Sequence, residues 1–404
     1  MNNNTLDKLK SINWDFKKRK IIDKDAIFPF NNRKYHSYPA TFIPEIPFTL
    51  VEILSKEKDV VLDPFGGIGT TLVQALIQNR FAISIDNNPI ANLIAEDFYN
   101  LFNPRIDLED ALQALLMDID GYDCAIDYSC VLDSSQCELA DWYDPVTFNE
   151  LAFLVYIYKK IKYKNSVSGE KNLYHLCLSN LLTSVSAQHG GWAYIADNVK
   201  PKKEKMVQKI VIERFKNNSI QCVKGIQEHK GRIDSGLYLN NSLFESTIRG
   251  DLRNINIECL RNTVDLIITS PPYPKMIDYV KSQRLSFYLD GLPMSKELGN
   301  EIGARCRRNM KGTIDEYIAD MTICNRKMIG CLKKGGYLCY VLPMFSKDTD
   351  NERKKAIESV IENCEQTGLE IVFQVNRAIP GTQRSNNIKW ATLKKEQIVI
   401  LEKQ

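Results

Sequence analysis

No apolar run in the 404 residues approaches the ~20 residues that a bilayer-spanning helix needs. The first residues, Met1-Asn2-Asn3-Asn4-Thr5, carry no apolar signal core, so secretion is not expected and a cytoplasmic protein is. There is no CxxC pair and there are only four histidines, which removes the usual ligand sets of a structural zinc site; no metal is expected. The eleven cysteines, an odd number without tight spacing, read as reduced thiols rather than a disulfide framework. No Gly-Lys-Ser/Thr closes the glycine-rich turn described below, so the chain has no phosphate-cradling Walker loop. Excess charge is also scarce. The net value of +3 means that any polyanion site must be a local patch.

What is present is an ordinary globular composition, 44% hydrophobic and 25% charged. The length suggests two or three domains of about 150 residues. Residues 1–30 are polar and basic, including Lys17-Lys18-Arg19-Lys20, and read as an N-terminal arm, either solvated or in contact with phosphates. The stretch 48–56, FTLVEILSK, has helical periodicity; DVVLD (59–63) is a short strand, PFGGIG (64–69) a glycine turn, TTLVQALIQN (70–79) an amphipathic helix, and FAISID (81–86) a second buried strand. That succession is half of a doubly wound nucleotide-binding fold. From 101 to 239 helical signals dominate, among them a helix with Asp144 as a candidate N-cap and Pro145 behind it. Buried strands return after 240, in STIRGD, VDLIIT, GGYLCYVLP, LEIVFQV and EQIVILEK. The expected fold is therefore α/β, a doubly wound, mostly parallel sheet, with residues 31–100 and 240–404 forming one domain and 101–239 an inserted helical subdomain.

Two features carry chemistry. Asp86 ends the second strand, 23 positions after Asp63, where a carboxylate can accept both hydroxyls of a ribose; the plainer reading is an N-cap for the helix that follows. Without a pyrophosphate-type glycine spacing, a nucleoside lacking pyrophosphate is the better ligand. The other feature is Thr269-Ser270-Pro271-Pro272-Tyr273 at the end of a central strand. Proline fixes φ and removes a backbone donor, so this turn is stiff. The Ser270 hydroxyl and the Pro271 carbonyl offer two acceptors beside the flat ring of Tyr273. That set suits an amino group on a planar base, oriented by the acceptors and held by stacking. The plainer reading is a strand-ending turn with a buried tyrosine.

DPFGGIGTT (63–71) followed by TSPPY (269–273) resembles the amino-methyltransferases of DNA, which use S-adenosylmethionine. HSYP (36–39), GDLRNI (250–255) and LKKGGYLCYVLP (332–343) add to the resemblance, which covers roughly 30–100 and 245–404. It implies a Rossmann-like methyltransferase fold in which Asp63, Phe65, Gly66, Gly67 and Gly69 wrap the methionine half of the cofactor. His36, Pro64 and Thr70 are counted with them. Asp86 binds the ribose, Asn88 shapes the wall, and Asp251 lies near the adenine. Ser270, Pro271, Pro272 and Tyr273 form the catalytic turn, with Tyr273 stacked on a base extruded from double-stranded DNA. In this family Ser before Pro-Pro is associated with N4 of cytosine, and Asp more often with N6 of adenine. Methylation at carbon 5 of cytosine needs a cysteine nucleophile, usually after proline, and no cysteine here follows a proline.

Phosphate contacts are expected from Lys200, Lys202, Lys203 and Lys205, from Arg305, Arg307, Arg308 and Lys311, and from Arg377 and Arg384, with His189-Gly190-Gly191-Trp192 as a loop entering the gap left by the base. Here the cofactor loop precedes the Pro-Pro motif, whereas many members have the reverse order. Target recognition is then expected in the insertion, with 275–330 as second candidate. A companion restriction endonuclease is implied as a functional partner, and no membrane. The rival readings are adenine N6 as target, an RNA base as target, and a DNA-binding protein without activity.

Overall fold

The computed structural model describes residues 1–16, 27–39, 41–162, 169–187, 200–239, 245–345, 350–379 and 393–404. Among the described residues seven strands form a single sheet: β1 (Val60–Asp63), β2 (Phe81–Asp86), β3 (Thr247–Arg249), β4 (Val264–Thr269), β5 (Leu332–Pro343), β6 (Leu369–Ala378) and β7 (Lys395–Lys403). Their order is β3-β2-β1-β4-β5-β7-β6. Only β7 runs against its neighbours, antiparallel to both β5 and β6. The doubly wound, mostly parallel sheet expected from the strand pattern is the observed one.

Alternation along the strands explains why both faces are covered. Val61, Leu266, Ile268, Cys339, Val341, Ile398 and Ile400 enter one core, and Leu62, Ile267, Leu338, Leu342, Val399 and Leu401 the other. Successive residues point to opposite faces, so these nearly continuous apolar runs need helices on both sides. The second core is closed by helices Thr313–Cys331 and Asn351–Gln366.

Helices Leu108–Ile119, Pro145–Lys162, Glu170–Val185 and Ile212–Lys230 contribute to the same apolar cluster as the sheet. Segment 101–239 thus packs its helices into the apolar cluster on one face of the sheet. Helix Glu170–Val185 docks through polar contacts as well. The His175 ring lies between Asp97 (Nδ1–Oδ2 2.5 Å) and Asp290 (Nε2–Oδ1 3.2 Å). Burial opposes its charge, but the two carboxylates outweigh burial and hold the imidazolium well above the usual histidine range.

The N-terminal residues also differ from a solvated arm. Helix Asn3–Ser11 buries Leu9, Trp14 is buried behind it, and the Trp14 carbonyl accepts from Arg377 Nε at 3.1 Å. The apolar Leu9 and Trp14 supply the burial that the basic composition obscured. Lys17-Lys18-Arg19-Lys20 lies outside the described residues. Among the described residues no helix is long and apolar enough to cross a membrane.

Candidate functional site

Strand order reverses between β1 and β4, and open α/β sheets take ligands beyond the carboxyl ends of their strands at such a point. A cleft of about 830 Å³, its mouth included, opens there. Its walls come from the loop after β1 (Pro64, Phe65, Gly66, Gly67, Thr70), the end of β2 (Asp86, Asn87, Asn88), the turn after β3 (Gly250, Asp251, Leu252), and Ser270 and Pro272 after β4. The two motifs, some 200 residues apart in sequence, therefore share one cavity.

The loop is built for close approach. Gly69 sits at φ +77° and begins helix Thr70–Leu76, and a Cβ there would lie 3.2 Å from Ala95 Cβ. At Gly66 a Cβ would lie 1.9 Å from Ser84 Oγ and 3.3 Å from the Asp63 carbonyl. Gly66→Ala should therefore destabilise the protein by about 1–3 kcal/mol, as overpacking does, and adding Ser84→Ala should return part of it in thermal unfolding. An unchanged melting temperature for Gly66→Ala would contradict the clash.

Asp86 caps the loop, not the following helix. Its Oδ2 accepts from Gly67 N and its Oδ1 from Asn88 N, each at 2.8 Å, while Asn88 itself caps helix Pro89–Leu101. Burial pushes the Asp86 carboxyl up to about 6 against these two amides. Asp251 is engaged as well: Arg253 Nε lies 3.0 Å from its Oδ1, and Arg253 Nη1 reaches Asp320 at 2.8 Å. Burial raises Asp251, but the guanidinium prevails and holds it below the usual range.

Several expected contacts are corrected. Asp63 does not line the cleft; it lies behind the loop, accepting from Thr71 Oγ1 at 2.7 Å and Phe65 N at 3.1 Å, and burial raises it to about 6. Gly69 shapes the turn without lining the cavity, and Pro271 is likewise off the wall. His36 is 2% exposed and bonded through Nε2 to Ser179 Oγ at 3.0 Å; burial brings it down to about 3, so it is a neutral core histidine. Tyr273 is turned inward. Its ring is buried, and its hydroxyl accepts from Ser270 Oγ at 3.1 Å and faces the Val341 carbonyl and Glu396 Oε1 at 3.4 Å each. The strand-ending turn with a buried ring is the arrangement found.

The aromatic side chains on the cleft wall are instead Tyr38, Phe42, Phe65 and Tyr279, with Tyr38 and Tyr279 stacked at 6.1 Å between centroids; Pro39 and Thr41 line it too. Glu301 and Ile302 complete the wall. Tyr38 lay inside the HSYP motif, but Tyr279 and Glu301 sit in a segment with no period or motif to mark them. Burial raises the Glu301 carboxyl to about 7. Thr70 Oγ1 and Glu301 Oε2, both on wall residues, are buried without a hydrogen-bond partner, as expected of a polar cavity shaped for a ligand. Asp86 and Glu301 suit hydroxyls and a cation.

The basic residues fare unevenly. Lys202, Lys203, Lys205, Arg308 and Lys311 are exposed. Lys200 is paired with Asp141, and Arg307 with Glu316 at 2.9 Å. Arg305 is half-buried. Arg377 is 2% exposed and holds Glu396, so it is not a phosphate contact. Arg384 and His189-Gly190-Gly191-Trp192 lie outside the described residues. No group of metal-ligating side chains occurs among the described residues.

Comparison with known proteins follows this geometry. Residues 3–97 match the DNA methylase (N6/N4 methyltransferase) family. The chain is similar to the type II methyltransferase M.MjaII of Methanocaldococcus jannaschii, 22% identical over 93% of this chain and 83% of that one. It is also similar to the type II methyltransferase M.BsoBI of Geobacillus stearothermophilus, 24% identical over 69% of this chain, which spans 56% of that relative's length. Among solved structures, TYW2 of M. jannaschii in complex with AdoMet aligns over 89% of this chain and 74% of its own, with 11% identity and a TM-score of 0.28.

Proposed function

We propose, from a chain that belongs to the DNA amino-methyltransferases of the N4/N6 type, that it transfers a methyl group from S-adenosylmethionine to the exocyclic N4 of cytosine in double-stranded DNA. The observation that carries this reading is the shared cleft: Ser270 and Pro272 line the same cavity as Gly66, Gly67 and Asp86. The cofactor supplies a sulfonium-activated methyl group, so the protein's task is placement. Held reactants account for ~7–11 kcal/mol of barrier lowering in well-oriented systems.

Asp86 is the ribose acceptor in this reading, with Thr70 and Glu301 offering further polar contacts. The target base leaves the duplex at a cost of a few kcal/mol. Its amine then meets Ser270 Oγ, while Tyr38 and Tyr279 provide the flat surfaces first assigned to Tyr273. Lys202, Lys203, Lys205, Arg308 and Lys311 are the exposed cations available to phosphates. The likeness to type II methyltransferases supports a restriction-modification role, and a companion endonuclease acting on the same DNA is part of this proposal.

The deciding experiment supplies tritiated S-adenosylmethionine and mixed-sequence duplex DNA, then separates the digested nucleosides. Label in 4-methylcytosine is the expected result. Label in 6-methyladenine replaces the target while keeping the reaction class. Label in RNA alone, or none in any nucleic acid, removes the reading.

A further inference from the structure

The catalytic turn is wired to the far edge of the sheet. Ser270 Oγ donates to Tyr273 Oη at 3.1 Å, and Tyr273 Oη donates toward Glu396 Oε1 at 3.4 Å, sharing its proton with the Val341 carbonyl, also at 3.4 Å. Glu396 Oε2 receives Arg377 Nη1 at 2.5 Å, and Arg377 Nε is tied to the Trp14 carbonyl at 3.1 Å. The register places these groups side by side. Glu396 on β7 pairs with Pro343 on β5 and with Arg377 on β6. Arg377 is 2% exposed, and Glu396 and Tyr273 are 8% exposed, so the chain of bonds runs through dry protein. A buried ion pair placed this deep costs desolvation, and replacing it by apolar residues is often harmless to stability. A pair that adjoins a cleft through two hydroxyls therefore calls for a reason other than folding.

We propose that Glu396 is a positioning and proton-accepting residue that acts on the target amine through Tyr273 and Ser270. This rests on the methyl-transfer reading above. Because the Ser270 proton points to Tyr273, the Ser270 lone pairs face the cleft and accept from the amine. Once nitrogen has gained its methyl group it is cationic and strongly acidic, and it must lose a proton. The N–H bond breaks toward Ser270 Oγ, the Ser270 O–H toward Tyr273 Oη, and the Tyr273 O–H toward Glu396 Oε1. The amine ends neutral, both hydroxyls regain their protons, and the carboxylate becomes a carboxylic acid. No other reactant is consumed. Val341 O holds the phenol in line, and Arg377 keeps Glu396 in place.

Among the described residues, Arg377 from β6 and Tyr273 from the turn are the titratable groups facing Glu396, and Tyr279 lies near Tyr273. Burial raises the Glu396 carboxyl, opposed by Arg377 and Tyr273. Glu396 can accept a proton only when it is ionised, so the chemical step should lose rate on the acidic side as the carboxylate is protonated.

Tyr273→Phe and Glu396→Gln keep the packing while removing a proton carrier. The test measures single-turnover methyl transfer to duplex DNA between pH 5.5 and 9, with cofactor and DNA affinities measured separately by calorimetry and filter binding. The wild-type protein should show the acidic limb. Both variants should be slowed by about 10²–10⁴-fold, the range that proton transfer by a positioned group supplies. Their affinities should stay within twofold of wild type, and Glu396→Gln should lose the limb. Wild-type rates in both variants, or affinity losses matching the rate losses, would overturn the relay while leaving the methyl-transfer reading intact. Absence of transfer by the wild-type protein would instead remove that reading, and the relay with it.

Discussion

Ser270→Ala should lower the single-turnover rate of methyl transfer by about 10²–10³-fold, the range found when one preorganised partner of a reacting group is removed. The argument is geometric. Ser270 lies on the cleft wall directly after β4, and the two prolines behind it fix the backbone, so its hydroxyl needs little reorganisation to meet a bound amine. The substitution removes the hydroxyl acceptor on the wall and cuts the bond to Tyr273. It does not untie the phenol, which still faces Val341 and Glu396. The glycine loop and Asp86 are untouched, so cofactor affinity should stay within twofold of wild type. A thermal melt should move little, because a half-buried hydroxymethyl group is exchanged for a methyl group. If the variant turns over at the wild-type rate, Ser270 is a strand terminator and the catalytic reading of the turn fails. If it loses cofactor affinity in proportion to its rate, the turn shapes the binding pocket instead of the chemical step.

The strand sequence was legible because its signals are local. VVLD, FAISID and VDLIIT are apolar runs rich in β-branched side chains, and each is a strand of the central sheet. Asp144 does accept from Val146 N at 3.0 Å and opens helix Pro145–Lys162. What failed were readings that depend on side-chain direction. Tyr273 was expected to present its face to the cleft, but the turn swings the ring inward, where Glu396, more than a hundred residues away, receives its hydroxyl. Arg377 looked like any surface cation of a basic segment, yet its partner is fixed by strand register between β6 and β7, which no local pattern reveals. His36 sits in a motif that does approach the cleft, but Tyr38 and Pro39 are the residues that reach it. The inserted helices of 101–239 are legible as a change of periodicity. Periodicity reports helices, not which core they fill, and these helices fill the core of the sheet.

Asp86→Ala should weaken S-adenosylmethionine binding by at least 100-fold in calorimetry. A carboxylate that accepts two hydroxyls loses two charge-assisted hydrogen bonds on truncation, at about 1.5–3 kcal/mol each, and every 1.4 kcal/mol is about a factor of ten. The loss should exceed this minimum, because Asp86 also holds the amides of Gly67 and Asn88 and so keeps the glycine loop in shape. Asp86→Asn should be nearly as damaging: its NH2 group must face one of those two amides, donor against donor. The same carboxylate sets a pH dependence. In the empty protein its pKa is raised from 3.8 to about 6 by burial. Its contribution to folding stability is therefore complete below the unfolded value and lost as pH rises through about 6, so the empty site is a cost at neutral pH. A ligand that needs the ionised form competes with the proton, so affinity should fall up to tenfold per pH unit below about 6 and level off above it. Asp63, raised to about 6, and Glu301, raised to about 7, titrate in the same window. Asp86→Asn separates them: the pH slope of binding should largely vanish in that variant if Asp86 is the group that meets the ligand. A full slope surviving the substitution would move the ribose contact to Glu301.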